Sequence, residues 1–416
     1  WILLLLASIL VTWLLGRAMR LEASAGRRRG LLILGLVFQL GLLVAVKYAG
    51  FFFGAFIDLP KLHLPLGVSF YTFHAISYLV DVYRQKTPPQ KNLLRLGLYL
   101  ALFPKLVMGP IVPYHELEPA LAQRTIDAQD VSDGCFRFTI GLAKKALLAD
   151  ALAGLVTGIW GDLASLTVLS AWLGLIGYAL QLYFDFSGYS DMAIGLGRML
   201  GFRFPENFRY PYLCSSISDF WRRWHISLGS WFKEYLYFPL GGSRTGTLRT
   251  LRNLLLVWLA TGLWHGASWN YVLWGLYFGV LICLEKLLAP RFWAHPRKGL
   301  LAGLYRPVCL LLAVLGWVLF RAEDLPAAGR YFACLFGGAA GASAQARLYL
   351  HDFWPVLLLG AVGATPLCAK LAGRLGAKLQ PGVRAAVQAV LVLALLACST
   401  VWLLNGSFQS FVYFQF

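Results

Sequence analysis

The chain has 416 residues, of which 59% are hydrophobic and 13% charged, with a formal net charge of +18, and its mean hydropathy is +0.65. An average soluble chain is about half apolar and about a quarter charged, so a soluble fold of this length would lack polar surface, and lipid is the expected solvent. The positive charge falls in short clusters between apolar runs, as in loops on the cytoplasmic side of a membrane, and not in the continuous patch that nucleic acid needs; no nucleic-acid partner is expected.

In chain order, the first apolar run is Trp1–Leu15. It has basic residues after it and none before it, the reverse of a secretory leader, and reads as a membrane helix. Further runs follow at Leu31–Tyr48, Leu64–Tyr83, Leu93–Val107, Phe136–Trp160, Leu166–Phe184, Leu254–His265, Ser268–Leu288, Val308–Phe320, Trp354–Ala369 and Val383–Leu404. Their lengths and sparse charge predict about ten membrane-embedded segments. Several are short or interrupted by Gly and Pro, and an interrupted helix at membrane depth needs protein or a water-filled cavity around it. The basic connectors Arg17–Arg29, Arg84–Arg95, Arg244–Arg252, Arg291–Arg306 and Lys370–Arg384 are assigned to the cytoplasm, and small uncharged ones such as Gly337–Ala346 to the other face. Without a long linker or a soluble segment, residues 1–416 read as one all-α, polytopic membrane domain.

The seven cysteines form no CxxC pair, and no HExxH, Walker loop or GxSxG is present. Neither a metal site nor a nucleotide site is expected. The densest polar signal is Asp219–Tyr235. Read as one amphipathic helix, it gathers Trp221, Trp224, His225, Leu228, Trp231, Phe232 and Tyr235 on one face, with Arg222, Arg223, Lys233 and Glu234 mostly on the other. His225 is either an interior ring bonded to a carbonyl or a functional group. The second signal is the run Asn253–Gly266, apolar until His265, with Gly266 as a natural stop. Trp258, Thr261 and Gly262 share the face of His265, and the small residues are expected to open space beside the ring. An ionisable side chain in a spanning segment is costly, and imidazole exchanges a proton near neutral pH, so His265 is the leading functional candidate.

The third signal is Gln181–Asp191, where Asp185 and Asp191 flank a Ser-Gly break. Each is expected to pair with a base such as Arg198 or Arg203 or to cap a helix beginning near Ser190; the alternative is to orient a histidine or bind a cationic group. His74 lies inside an apolar segment, and with Trp224, Trp264 and Asn270 it is a candidate to line an internal passage. His63, His115, His295 and His351 fall at segment ends.

Certain stretches, taken together and in order, resemble the membrane-bound O-acyltransferase family. They are Ser69–Phe73, Ser77–Arg84, Gly109–Val112, Tyr183–Gly197, Gly201–Phe208, Asp219–Leu228, Tyr235–Gly242 and Gly262–Gly266. Within that family they are most similar to the bacterial branch of the alginate O-acetyltransferase membrane subunit and the related cellulose and peptidoglycan acetylation proteins. Relatives that transfer D-alanine share the Arg-Trp-His core. The resemblance implies a ring of helices around a central through-membrane tunnel in a bacterial inner membrane, with the family's first helices preceding residue 1. It also implies His265 as the invariant catalytic histidine and His225 as the second motif histidine. Two positions depart from the branch: Phe278 stands where His is frequent, and His74 where Gln is usual.

The expected activity is transfer of an acyl group, most simply acetyl, from a cytoplasmic thioester such as acetyl-CoA. The acceptor is a hydroxyl of an extracytoplasmic polysaccharide, reached directly or through a periplasmic partner protein. No bound cofactor is required; membrane lipids, the donor and the acceptor are the partners. His265 acts as general base, His225 orients the donor carbonyl or helps to move the proton, and Asp185 fixes a neighbouring group. Arg222 and Arg223 meet either the donor phosphates or lipid headgroups. The alternatives are D-alanyl transfer to a cell-wall polymer, a proton-coupled transporter, and a non-catalytic scaffold.

Overall fold

The structure, a computed structural model, describes residues 1–22, 24–54, 65–244, 246–292, 300–406 and 411, with backbone alone at 289–292 and 300–302. His63 and His295 lie outside the described residues. Every regular element among those described is helical. Among the described residues six helices are long and apolar enough to cross a membrane: Ile2–Leu21, Ala25–Phe53, Val168–Met199, Trp269–Leu288, Gly303–Arg321 and Pro381–Asn405. The pair Ala344–Gly363 and Leu367–Gly376, bent by 67°, makes a seventh if counted as one span.

The remaining apolar runs form shorter or interrupted helices. Leu93–Val107 divides into Leu93–Ala101 and Phe103–Leu106, where Pro104 cannot continue the hydrogen-bond ladder. The run from Phe136 belongs to a helix Ala128–Ala143 that widens into a π-turn at Lys144–Ala149 before Asp150–Trp160. The Ser-Gly break expected after Asp185 does not form: Val168–Met199 is a single helix of 32 residues. Gly188 is needed there for a close approach, because a Cβ would lie 2.7 Å from the Gly141 carbonyl oxygen.

The chain forms two compact units, Trp1–Cys135 with Ala193–Glu206 and Ser227–Leu240, and Phe136–Met192 with Asn207–Ile226 and Gly241–Phe416. In the first, the helices Ile2–Leu21, Ala25–Leu43 and Val68–Tyr83 pack on one another. Gln39 ties the first two together: its Nε2 donates to Thr12 Oγ1 at 2.8 Å, and its Oε1 accepts from Ser8 Oγ at 2.9 Å. Such interhelical bonds satisfy polar groups that lipid cannot solvate. Asp81, fully buried, accepts from Tyr235 Oη at 2.9 Å and from the His115 backbone amide at 3.2 Å, and its other contact is His115 Nδ1 at 2.9 Å. Lys105 is also fully buried, its ammonium 4.3 Å from the centre of the Tyr99 ring and without a hydrogen-bond partner among the described residues.

In the second unit, an aromatic core includes Phe220, Trp224, Trp258, Trp274, Phe278 and Trp317. Beside it, Thr247–His265 and Trp269–Phe292 cross backbone to backbone. A Cβ on Gly262 would stand 2.3 Å from the Tyr271 carbonyl oxygen, and one on Gly275 2.4 Å from that of Trp258. Glu285 closes the N-terminal end of the short helix Ile217–Trp221, accepting from the amides of Ile217 at 2.5 Å and Ser218 at 2.9 Å. A carboxylate on exposed amides of a helix start is electrostatically favoured.

Three substitutions test this packing. Gly262→Val forces the crossing helices apart and is expected to cost about 1–3 kcal/mol, read as a lower melting temperature of the purified protein. Gly373→Ala, where nothing lies within 4 Å, leaves that temperature unchanged or raised. Lys105→Met removes an unpaired buried amine while keeping the stem; melting at or above the wild-type temperature is expected, since such replacements are neutral or stabilising by about 1–4 kcal/mol. A large drop would mean that the ammonium has a stabilising partner.

Candidate active site

The segment 219–235 is not one helix. Ile217–Trp221 stops, and a new helix runs over Ile226–Phe232. The interruption is His225 itself, with φ of +45°, a left-handed conformation uncommon for a residue with a side chain. The backbone there is held by residues 207–209. Arg209 N donates to the Arg223 carbonyl at 2.9 Å, and Ile226 N to the Asn207 carbonyl at 3.0 Å. The expected amphipathic face therefore gives way to a turn that aims one imidazole inward. Backbone held in this region against its preference clusters at functional positions.

His225 is 2% exposed. Its Nδ1 lies 3.1 Å from Asn207 Oδ1, while Asn207 Nδ2 donates to Ser190 Oγ at 3.1 Å. With the amide so oriented, Nδ1 carries the proton and Nε2 presents a lone pair. Nε2 has no hydrogen-bond partner among the described residues. Burial pushes the imidazole pKa down to about 3, so the ring is neutral near pH 7. Phe186 meets it edge to face with ring centres 4.6 Å apart, and the Trp264 indole stands at 6.1 Å.

His265 closes the Thr247–His265 helix, as expected. The stop works differently from the anticipated glycine cap: Gly266 is in extended backbone, and its lack of a Cβ admits the Tyr271 ring, which a Cβ would approach to 2.3 Å. Nor does Gly262 open space beside the imidazole; it admits the backbone of the neighbouring helix. The His265 ring, 7% exposed, lies 4.9 Å from Trp264, 4.9 Å from Trp274 and 5.1 Å from Phe320 between ring centres. Trp264 thus touches both imidazoles and brings His225 and His265 into one aromatic neighbourhood.

The other candidates are distributed around this pair or away from it. Trp224 belongs to the aromatic core, with ring centres 4.8 Å from Trp317 and 5.1 Å from Phe208. Asn270 donates from Nδ2 to the Ala322 carbonyl at 2.7 Å, anchoring the turn after His265. Asp185 pairs with Lys145 at 2.7 Å, and that lysine also reaches Asp150 at 2.7 Å. Asp191 holds Arg137 and Lys144, each at 2.6 Å. Arg198 and Arg203, the bases anticipated for these carboxylates, bind Asp130 instead. The π-turn at Lys144–Ala149 starts with both lysines, and neither its widening nor its reach is visible in the sequence.

Arg223 bonds Asp219 at 3.0 Å, and the exposed Arg222 lies 3.9 Å from the same carboxylate. In the other unit His74 is fully buried, packs on Tyr99 at 5.4 Å, and has neither ring nitrogen hydrogen-bonded among the described residues. Asp81, His115 and Glu234 bring ligand-type atoms within 4.8 Å of one another. Asp81 is taken up by Tyr235 and His115, and Glu234 by Lys86, so a cation already serves that cluster. Sequence reasoning missed Asn207, Ser190, Trp274 and Phe320 as neighbours of the histidines; Asn207 stood in the motif Gly201–Phe208, which was its one visible signal.

The sequence model of the MBOAT, membrane-bound O-acyltransferase family matches residues 84–298. The chain is 44% identical over 332 residues to the "Probable alginate O-acetylase AlgI" of Pseudomonas aeruginosa, covering 76% of this chain and 63% of that relative. With the peptidoglycan O-acetyltransferase of Helicobacter pylori it shares 36% identity over 361 residues, 78% of this chain and 68% of the other. With the teichoic acid D-alanyltransferase of Bacillus subtilis the figure is 29% over 287 residues, covering 64% and 71%. The chain spans about three fifths of the length of the alginate relatives it matches. A family match over residues 84–298 and this degree of identity leave one conclusion: the chain belongs to the membrane-bound O-acyltransferase family.

Proposed function

We propose that this protein is a membrane O-acyltransferase of the bacterial inner membrane that moves an acyl group, most simply acetyl, from a cytoplasmic thioester to a hydroxyl of an extracytoplasmic polysaccharide or of a partner protein that passes the group on. The whole chain acts as one transmembrane catalytic domain in this reading. The names of the relatives, which acetylate alginate and peptidoglycan, favour acetyl over D-alanyl. The observation that carries the proposal is the pair of imidazoles sharing one indole, with His225 Nε2 open and its Nδ1 tied to Asn207.

Acyl transfer from a thioester to an alcohol needs the hydroxyl proton removed as its oxygen attacks the carbonyl carbon. The C–O bond forms, the C–S bond breaks, and the departing thiolate takes up a proton. His265 serves as the base. Of the two roles expected for His225, orienting the donor carbonyl and helping to move the proton, the second fits: with Nδ1 donating to Asn207, Nε2 is left as an acceptor. A neutral ring with so low a pKa is a weak base, and it suits accepting a hydrogen bond from a second hydroxyl of the acceptor, which leaves the single proton of the reacting hydroxyl to His265. Asp185 and Asp191, both ion-paired, hold the surrounding helices.

The test is acetyl transfer by purified protein with an acetyl thioester and an oligosaccharide acceptor. His265→Ala, eluting as the wild type does on size exclusion, is expected to lose about 10²–10⁴ in kcat; near-normal turnover would remove it as the base. His225→Ala and Asn207→Ala are expected to raise the acceptor KM more than they lower kcat, while the donor KM stays unchanged. Equal loss on the donor side would return His225 to the thioester. Mass spectrometry of envelope glycans from cells with and without the gene identifies the acceptor.

A further inference from the structure

A cavity of about 280 Å³ is lined by Ala25, Arg28, Tyr83, Arg84 and Gln85. It is unconnected with the histidines in sequence or in unit, and two guanidinium groups face it without a carboxylate. Their neighbours are paired: Arg27 with Glu22 at 3.6 Å, and Lys86 with Glu234. Among the described residues neither Arg28 nor Arg84 has an ion pair: nearby in the sequence, Glu22 is paired with Arg27 and Asp81 is fully buried.

The two arginines are held in different ways. Arg28 Nη2 donates to the Tyr83 carbonyl at 3.1 Å, and its guanidinium stands 5.9 Å from the centre of the Tyr83 ring. The Gln85 amide, turned so that its oxygen faces Arg28, accepts from Nη1 and Nη2 at 3.2 Å each. Arg84 lies 5.8 Å from the Tyr235 ring centre and, among the described residues, makes two long bonds, 3.4 Å each, to the Glu234 carbonyl. Most of its donors are uncommitted.

Gln85 supplies the second line of argument. It follows the Val68–Tyr83 helix with φ of +60°, and Lys86 N bonds back to the Asp81 carbonyl at 2.9 Å. Helices ending in this way ordinarily place Gly at the left-handed residue, because a side chain there is strained. Here the residue is a glutamine, and its side chain meets Arg28. Strain of this kind is found at ligand clamps.

We infer that this cavity is a binding site for a phosphate group, held between the guanidinium forks of Arg28 and Arg84. Arginine matches phosphate oxygens in a planar, two-pronged geometry. The pocket is open to the outside, so a phosphate can enter it while the rest of its molecule stays beyond the rim. Ala25 begins the candidate span Ala25–Phe53, which sets the cavity at the membrane–water boundary, the depth of phospholipid phosphates. A phosphorylated acyl donor carries the same group, and the experiment separates the two sources.

Native mass spectrometry of the purified protein in detergent reads retention of phosphatidic acid, with diacylglycerol as the phosphate-free control. Wild type is expected to retain phosphatidic acid over diacylglycerol, and R28Q/R84Q to bind it about tenfold more weakly or worse. Arg29→Gln, next in sequence but outside the cavity, is expected to behave as wild type. Should the double variant elute abnormally, Arg84→Gln alone, an exposed side chain, is expected to weaken binding several-fold. Displacement of the lipid by coenzyme A identifies the donor as the source; retention against coenzyme A identifies the lipid. Equal retention by R28Q/R84Q and wild type, or equal retention of diacylglycerol, overturns the site, whatever the outcome of the acyl-transfer assays.

Discussion

Gly262 and Gly275 let two helices meet backbone to backbone, and the surroundings of His265 depend on that contact. With a Cβ on either residue a carbonyl oxygen would be overrun, since the built positions lie 2.3 and 2.4 Å from one. The crossing brings Trp274 and Tyr271 of one helix against the C-terminal turn of the other, and so supplies the rings that surround His265. In lipid no hydrophobic driving force presses helices together, and small residues that allow close van der Waals contact are the available means. Spacing that would look like emptiness in a helix considered alone is the seat of its neighbour.

The same solvent constraint accounts for the buried polar groups. A polar side chain withdrawn from water and left unpaired costs free energy, and in this protein most have partners. Gln39 is bonded to Ser8 and Thr12, Glu285 to a helix start and to Tyr305, and Asp185 and Asp191 to lysine or arginine. Among the described residues the exceptions include several hydroxyl and indole groups, such as those of Tyr71, Tyr178, Trp13 and Trp221, and also Nε2 of His225, both ring nitrogens of His74 and the Lys105 ammonium. An atom kept unpaired at such cost is where a substrate hydroxyl or another ligand has something to gain.

Reading the turn at His225 as the functional feature also changes how its motif is understood. In Asp219–Tyr235 the aromatic residues follow helical spacing, which pointed to one amphipathic helix. The structure interrupts that helix at His225 and uses Trp224 for the core, while Arg222 and Arg223 share Asp219. The density of Trp, Arg and His in this motif thus serves three separate tasks within a few residues. Asn207, eighteen positions upstream, meets the ring at Nδ1, 3.1 Å away.

The sequence by itself determined the solvent, the helical class, the position of His265 at a helix end and, through ordered motifs, the family. These depend on composition, local periodicity and residue identity, which a chain carries without folding. Only the tertiary structure decided that residues 168–199 form one unbroken helix, that Asp185 and Asp191 find Lys145, Lys144 and Arg137, that His225 is left-handed, and that Arg28 and Arg84 share a cavity. Each of those depends on a pairing between residues distant in sequence. Helical periodicity reports which face a residue occupies and carries no information on which other helix that face will meet.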